Sequence, residues 1–319
     1  MTLLIAGVVG LLGGLHAASW GAFKDTPFEG FRLKSYLRSV VLAALVAVIA
    51  ALLLPHLGAA LLVLTGVVYA IERFTTEWWK AILREQDQGR YTIPMRLGFR
   101  GRPINRKATR YAAGAAVGLV VVVGLFGIHA LQLRLPAVPT PWVIATVGGL
   151  GGWATAFGGA WKDAPIEGFS GWKFLRSPAV ATLWAVPLSF LTDSWVTLLL
   201  AAGGFAVASI ETYKTFLTGG RPPGKFAGRP VSTHLPTLRS VFAHQHAVLW
   251  MVVAATFAVT LAGPLNGLSW AHLGAGAADL SRTLLAAVAV ASATLGALVI
   301  YTSGRLHTSV RQPSLPDQN

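Results

Sequence analysis

Long stretches without an ionisable side chain are the feature that most restricts how this chain can fold. Segments 40–54 and 113–126 contain no ionisable residue. In lipid, backbone N–H and C=O groups must be paired within the segment, so these stretches predict transmembrane α-helices. Only 12% of the residues are charged, against about 25% in soluble domains. We therefore predict an all-α polytopic membrane protein of the cell membrane.

A charged motif occurs twice. Segments 24–39 (KDTPFEGFRLKSYLRS) and 162–177 (KDAPIEGFSGWKFLRS) share nine of sixteen positions at a constant offset of 138. We call them the first motif and the second motif. Two shorter matches follow along the chain. Ile71-Glu72 aligns with Ile210-Glu211, and Gly101-Arg102-Pro103 aligns with Gly228-Arg229-Pro230. This self-similarity predicts a tandem repeat.

Apolar periodicity divides the chain into about nine transmembrane helices. They form two parallel four-helix repeats, 1–138 and 139–265, then an additional C-terminal helix within 266–304 and a disordered cytoplasmic tail, 305–319. The predicted spans are 3–22, 39–54, 57–72, 110–129, 141–160, 178–192, 195–210, 243–263 and 283–303. Spans of about sixteen residues are short for a bilayer. Regions 39–72 and 178–210 are therefore either two full crossings each or re-entrant hairpins.

The distribution of charge predicts the topology. An even number of spans per repeat places both motifs on one side of the membrane. Of the 26 Lys and Arg residues, only Arg134 and Arg282 fall on the opposite side. By the positive-inside rule, the motifs and the C-terminus are cytoplasmic and the N-terminus is outside. The net charge of +14 is explained in this way, and nucleic acid is not an expected partner.

The charged residues of the motifs and span ends are the candidate binding residues. Carboxylates four residues apart can share one helix face and hold a divalent cation that binds phosphate oxygens. Alternatively, they form salt bridges with Lys and Arg of the same motif. The glutamates at the span ends lie near the membrane surface, where six carboxylates would converge on a pseudo-twofold axis. The substrate-binding candidates here are Lys24, Asp25, Glu29, Arg38, Glu72, Lys162, Asp163, Glu167, Arg176 and Glu211.

Three further patterns have weaker implications. The glycine-rich basic stretch 219–229 offers Lys225 and Arg229 to an anion, or contacts anionic lipid as an ordinary cytoplasmic loop. Aromatic residues at four-residue spacing from position 74 predict an amphipathic helix on the inner leaflet. Glycines spaced by four in spans 3–22 and 141–160 predict close helix packing. No pair of haem-ligating histidines can be assigned.

Three functions are compatible with these features. The first is transport or translocation of an anionic, phosphate-bearing lipid or metabolite bound at the cytoplasmic face. The second is a metal-dependent enzyme acting on a phospholipid or polyprenyl phosphate, and the third is a structural subunit of a membrane complex. The expected partners are membrane lipids, with a divalent cation and a homo-oligomer or larger membrane complex as further candidates. Catalytic residues and cofactors are not assigned.

Overall fold

A computed structural model describes residues 3–54, 60–218, 224–229, 236–263, 265–270 and 276–309. Within these residues there are nine helices: α1 (Leu3–Glu29), α2 (Leu33–Leu53), α3 (Leu61–Ile82), α4 (Lys107–Arg134), α5 (Thr140–Glu167), α6 (Gly171–Leu188), α7 (Trp195–Leu217), α8 (Pro236–Thr260) and α9 (Gly276–Ser309). Strands β1 (Gly98–Phe99) and β2 (Arg102–Pro103) form a small antiparallel hairpin. Seven helices, all except α3 and α6, are long and apolar enough to span a membrane. The helical content and the seven long apolar helices agree with the predicted all-α membrane class.

Both motifs begin on a helix, so the spans predicted to end at residues 22 and 160 end later. Helix α1 continues through the first motif to Glu29, and α5 continues through the second to Glu167. Gly30 (φ 72°) and Gly168 (φ 84°) then end the helices in the left-handed conformation that glycine adopts readily. The acids at positions i and i+4 therefore do lie on regular helix.

Several predicted boundaries were wrong because the helices continue past the apolar segments. Helices α2 and α3 have 21 and 22 residues, and at 1.5 Å per residue each is longer than about 30 Å. Helix α2 is among the seven candidate spans, whereas α3, whose second half is charged, and the 18-residue α6 are not. The predicted interfacial helix from residue 74 is the second half of α3. Helix α9 extends into the predicted tail as far as Ser309, whereas 310–319, 57–59 and 219–223 lie outside the described residues.

Glycines bring neighbouring helices into close contact, as predicted. A Cβ added to Gly14 would lie 2.6 Å from the Cα of Val40 on α2. One added to Gly152 of α5 would overlap the Ser177 carbonyl on α6. Helices α3 and α7 pack together at the centre, where a Cβ on Gly204 would overlap the Gly66 carbonyl. Close backbone approach of this kind is a main source of packing between helices in lipid.

The two halves of the chain are covered differently. Helix α8 packs against α1 and is itself backed by α9. Helix α4 is the fourth helix of the first half of the chain, as α8 is of the second. It packs against α3 and α7 but has no comparable contact with α5. As a result Trp20 of α1 is buried, whereas Gly158, 138 residues later on α5, has no atom within 4 Å of an added Cβ.

Candidate functional site

The charged residues of the first motif are paired with residues distant in sequence. Lys24 Nζ donates to Glu211 Oε2 at 2.8 Å, and Asp25 Oδ2 accepts from Lys225 Nζ at 2.7 Å. Glu29 accepts from the Tyr91 hydroxyl at 3.0 Å. None of these three bonds lies within the motif, so the prediction of same-motif salt bridges was wrong for the first motif.

The second motif leaves its charges largely unpaired. Among the described residues, no carboxylate lies within 4.0 Å of the Lys162 ammonium, which donates to Met95 Sδ at 3.4 Å. Within the same described part of the chain, Asp163 forms no hydrogen bond or ion pair. Glu167 does pair with Lys173 of its own motif, at 2.9 Å, but both side chains are substantially exposed. An exposed pair of this kind contributes little stability.

The arginines of the two motifs share an unusual feature. Arg38 stacks over the ring of Trp79, with its Cζ 4.7 Å from the ring centroid. In both Arg38 and Arg176 the Nε atom is buried without a hydrogen-bond partner among the described residues. Glu72, which is buried, accepts from Thr76 Oγ1 at 2.8 Å and interacts electrostatically with Arg38. These guanidinium groups therefore retain hydrogen-bonding capacity.

Three residues that sequence reasoning left out lie between the motifs, on the second half of α3. Glu77 accepts from Lys80 at 2.9 Å and pairs with Arg73 at 3.2 Å. Lys80 interacts electrostatically with Asp25 of the first motif, and Glu77 with Lys162 of the second. The signal available in the sequence was the spacing 73, 77 and 80, which places all three on one helix face once α3 is known to continue.

Cations and acids are interleaved around this point. Burial lowers the pKa of Lys80 to about 8, and the nearby charges of Arg73 and Lys225 act in the same direction, against the opposing charge of Glu77. Lys162 likewise interacts with Glu77 as well as with Lys225 and Arg73. These cations would stabilise an added anion.

Each basic loop packs against the motif helix of the other half of the chain. Phe226 stacks on Phe28 of α1, with ring centroids 4.5 Å apart, and the Lys225 carbonyl accepts from the Thr92 N–H at 2.8 Å. Phe99 of the β-hairpin lies 6.2 Å from the Trp161 ring of α5. One residue separates each phenylalanine from a Gly-Arg-Pro sequence. The repeated pattern F-x-G-R-P could therefore have identified these two loop contacts from the sequence.

Two candidates take positions away from the central cations. Arg229 donates to the Gly89 carbonyl at 2.8 Å and thus binds its neighbouring loop. Glu29 is held by Tyr91, and burial beside this carboxylate raises the pKa of Tyr91 to about 12. Tyr91 therefore stays protonated and donates at all physiological pH values.

The acids do not assemble into a metal site. Among the described residues, which include all six predicted carboxylates, no group of three or more His, Asp or Glu side chains is placed to hold a metal ion. The predicted carboxylate site for a divalent cation is therefore not found among these residues. Five of the six acids are each held by their own cation or hydroxyl, because an unpaired buried charge is costly, whereas Asp163 has no such partner.

An exposed aromatic surface adjoins the second motif. Phe157 and Trp161 on α5 are 63% and 59% exposed, and Phe169 and Trp172 beside α6 are 67% and 74% exposed. Large aromatic rings at this level are typical of residues that contact lipid near the membrane surface. The helical part of the second motif is thus more exposed than that of the first, although Leu33 and Leu37 of the first motif are also exposed.

Comparison with known proteins adds no further identification: no protein-family description, no curated protein and no solved structure matches this chain.

Proposed function

We propose that this protein binds an anionic, phosphate-bearing headgroup between the two motifs, at the cytoplasmic face, and takes part in its translocation. The architecture assumed is nine crossings in two parallel repeats plus a C-terminal helix, with the N-terminus outside and the C-terminus cytoplasmic. The seven long apolar helices and the equivalent ends of α1 and α5 at Glu29 and Glu167 support this arrangement. So does the strong bias of Lys and Arg towards the motif side.

The observation that carries the proposal is the unequal state of two equivalent lysines. Lys24 is neutralised by Glu211 at 2.8 Å, whereas Lys162 has no carboxylate within 4.0 Å among the described residues. The charges around Lys162 are the acids Glu77 and Asp163, neither within 4.0 Å, and the cations Arg73 and Lys225. The ammonium of Lys162 thus retains donors for a further acceptor, and phosphate supplies both charge and acceptor oxygens.

The surroundings favour an anion attached to lipid. The exposed rings of Phe157 and Trp161 lie on α5, within five residues of Lys162. A phospholipid with its headgroup at Lys162 can therefore keep its acyl chains in contact with these rings. A cytoplasmic lipid surface rich in anionic headgroups supplies such a ligand.

Binding of short-chain phosphatidic acid to the purified protein in neutral detergent tests this function. Lys162→Gln should weaken binding by about tenfold or more, since a charge-assisted hydrogen bond contributes about 1.5–3 kcal/mol. Lys173→Gln is the matched control, because it removes the same charge from an exposed site in the same motif. Equal losses in the two variants would show that binding reflects net charge alone and would contradict the proposal.

Two further measurements identify the ligand source and the reaction. If inorganic phosphate binds as tightly as phosphatidic acid, the ligand is a soluble metabolite and not a lipid. Translocation is measured with vesicles containing NBD-labelled phosphatidylglycerol, by the fraction of label that external dithionite can reduce. Wild-type protein should make the inner-leaflet label accessible, and Lys162→Gln should slow this process. Binding without translocation would remove the transport part of the proposal.

A further inference from the structure

Two adjacent residues of the second motif, Lys162 and Asp163, lack partners of opposite charge. Among the described residues, no acid lies within 4.0 Å of the Lys162 ammonium, and no hydrogen bond or ion pair involves the Asp163 carboxylate. Their equivalents in the first motif both form ion pairs shorter than 3 Å. A free ammonium beside a free carboxylate suits a ligand that carries one negative and one positive group.

The missing acid at Lys162 has a specific cause. In the repeat, Glu72 is the equivalent of Glu211, which pairs with the lysine of the first motif. Glu72 instead accepts from Thr76 Oγ1 at 2.8 Å on its own helix, and it interacts electrostatically with Arg38 of its own half. Lys162 therefore retains donors for an acceptor that the described chain does not supply.

The missing cation at Asp163 has a cause of the same kind. In the second basic loop, Lys225 directly precedes the phenylalanine of the F-x-G-R-P pattern and pairs with Asp25 at 2.7 Å. In the first basic loop, Gly98 stands in that position and has no side chain. Each loop packs on the motif helix of the other half. The loop that could neutralise Asp163 thus carries glycine at the required position.

The other cations near Asp163 have acids of their own. Lys173 donates to Glu167 at 2.9 Å, and Lys214 lies 3.9 Å from Glu211. Of the three lysines that act most strongly on Asp163, only the adjacent one in the second motif has no acid within 4.0 Å among the described residues. The uncompensated charges at this place are thus side by side in the sequence.

Open space leads to this pair from the membrane side. Gly158 and Gly159 lie one helical turn before Lys162 and Asp163 on α5, and an added Cβ on either glycine meets no atom of the described structure within 4 Å. On α1 the position of Gly158 is taken by Trp20, which is buried. Successive residues diverge by about 100° around a helix, so the faces below the two charged groups adjoin. Both faces are open.

We propose that the headgroup bound at the second motif carries an ammonium group as well as a phosphate, as in phosphatidylethanolamine. Lys162 donates to the phosphate oxygens, and Asp163 accepts from the ammonium. The glycerol and acyl chains then extend past Gly158 and Gly159 to the exposed ring of Phe157. This assignment rests on the proposed function, since it names the class of lipid held at the same site.

Binding of two short-chain phospholipids to the purified full-length protein in neutral detergent tests the assignment. Phosphatidylethanolamine and phosphatidylethanol share the phosphodiester and differ in one ammonium group. Wild-type protein should bind phosphatidylethanolamine about tenfold more tightly, as expected for one charge-assisted hydrogen bond. Equal or tighter binding of phosphatidylethanol, which has the larger net negative charge, would overturn the assignment.

Three variants locate the ammonium site. Asp163→Asn should abolish the preference and leave phosphatidylethanol binding unchanged, whereas Asp163→Glu should keep most of the preference because it retains the carboxylate. Asp87→Asn is the matched control, since Asp87 is exposed in the first basic loop, where it accepts from the Gly89 N–H. A preference that survives in folded Asp163→Asn would contradict the role given to this acid.

Lys162→Gln separates failure of this assignment from failure of the proposed function, because it should weaken the binding of both lipids. If it does so while wild-type protein binds phosphatidylethanol at least as tightly, the phosphate site stands and the ammonium site is refuted. If Lys162→Gln alters the binding of neither lipid, the proposed function itself fails. Free phosphoethanolamine that competes as well as phosphatidylethanolamine would identify a soluble ligand and overturn the choice of a lipid.

Discussion

The two motifs share nine of sixteen residues and the same helix position, yet they lie in different environments. In the first, Thr26 and Pro27 are buried and the charges are paired with residues of the second half of the chain. In the second, Ile166 is 40% exposed and Lys162 lacks a carboxylate partner among the described residues. Two contacts differ: α8, backed by α9, covers α1 whereas α4 leaves the corresponding face of α5 open, and the charges of the first motif are neutralised by Glu211 of α7 and Lys225 of the loop. Two similar segments are thus found in one covered and one open environment.

The largest expected effect concerns the covered face of α1. Trp20→Ala should lower the free energy of unfolding by roughly 3–5 kcal/mol, the range for removing a buried aromatic side chain. Its counterpart Gly158 lies within α5 and faces open space, so Gly158→Ala should raise the free energy of unfolding by about 0.5–1 kcal/mol, because alanine favours the helix. Thermal or denaturant unfolding of the detergent-solubilised protein gives both values. Similar losses at the two sites would mean that α5 is covered too, and the comparison would fail.

An intermediate effect concerns the two equivalent lysines. Lys24→Gln leaves Glu211, which is only 12% exposed, without its closest cation. We expect a loss of about 1–3 kcal/mol in unfolding free energy, the usual penalty for an unsatisfied buried group. Lys162→Gln breaks no ion pair in the described structure and should have almost no effect on stability while it weakens anion binding. The reverse order of stabilities would refute the assignment of one covered and one open motif.

The smallest expected effect is a pH dependence from Lys80, which lies between the motifs. Its pKa is lowered to about 8 by burial and neighbouring cations, so it is protonated below that value and neutral above it. Only the protonated form attracts an anion. Phosphatidic acid binding should therefore weaken severalfold as pH rises through about 8, and a bound anion should shift the midpoint upwards. In Lys80→Gln this change should disappear; if it persists, another group is titrating.

Several features follow from short-range patterns and were predicted correctly. Apolar segments such as 113–126 gave helices, because lipid leaves the backbone no alternative pairing. Glycines at 14 and 152 gave close helix contacts, because their spacing of four aligns small residues on one face. Helix ends were missed, since α1, α3 and α5 continue for several residues beyond the apolar segments on which the boundaries were placed.

The pairing of the charged residues required the three-dimensional structure. Nothing in the motif distinguishes Lys24 from Lys162, and the difference arises because Glu211 approaches one and no described acid approaches the other. The contact between His16 and His246 joins residues 230 positions apart through helix packing alone. Local sequence fixes which segments become helices, because their hydrogen bonds are local. Which faces are buried, and hence which charges are neutralised, depends on contacts between segments that the chain brings together only when it is folded.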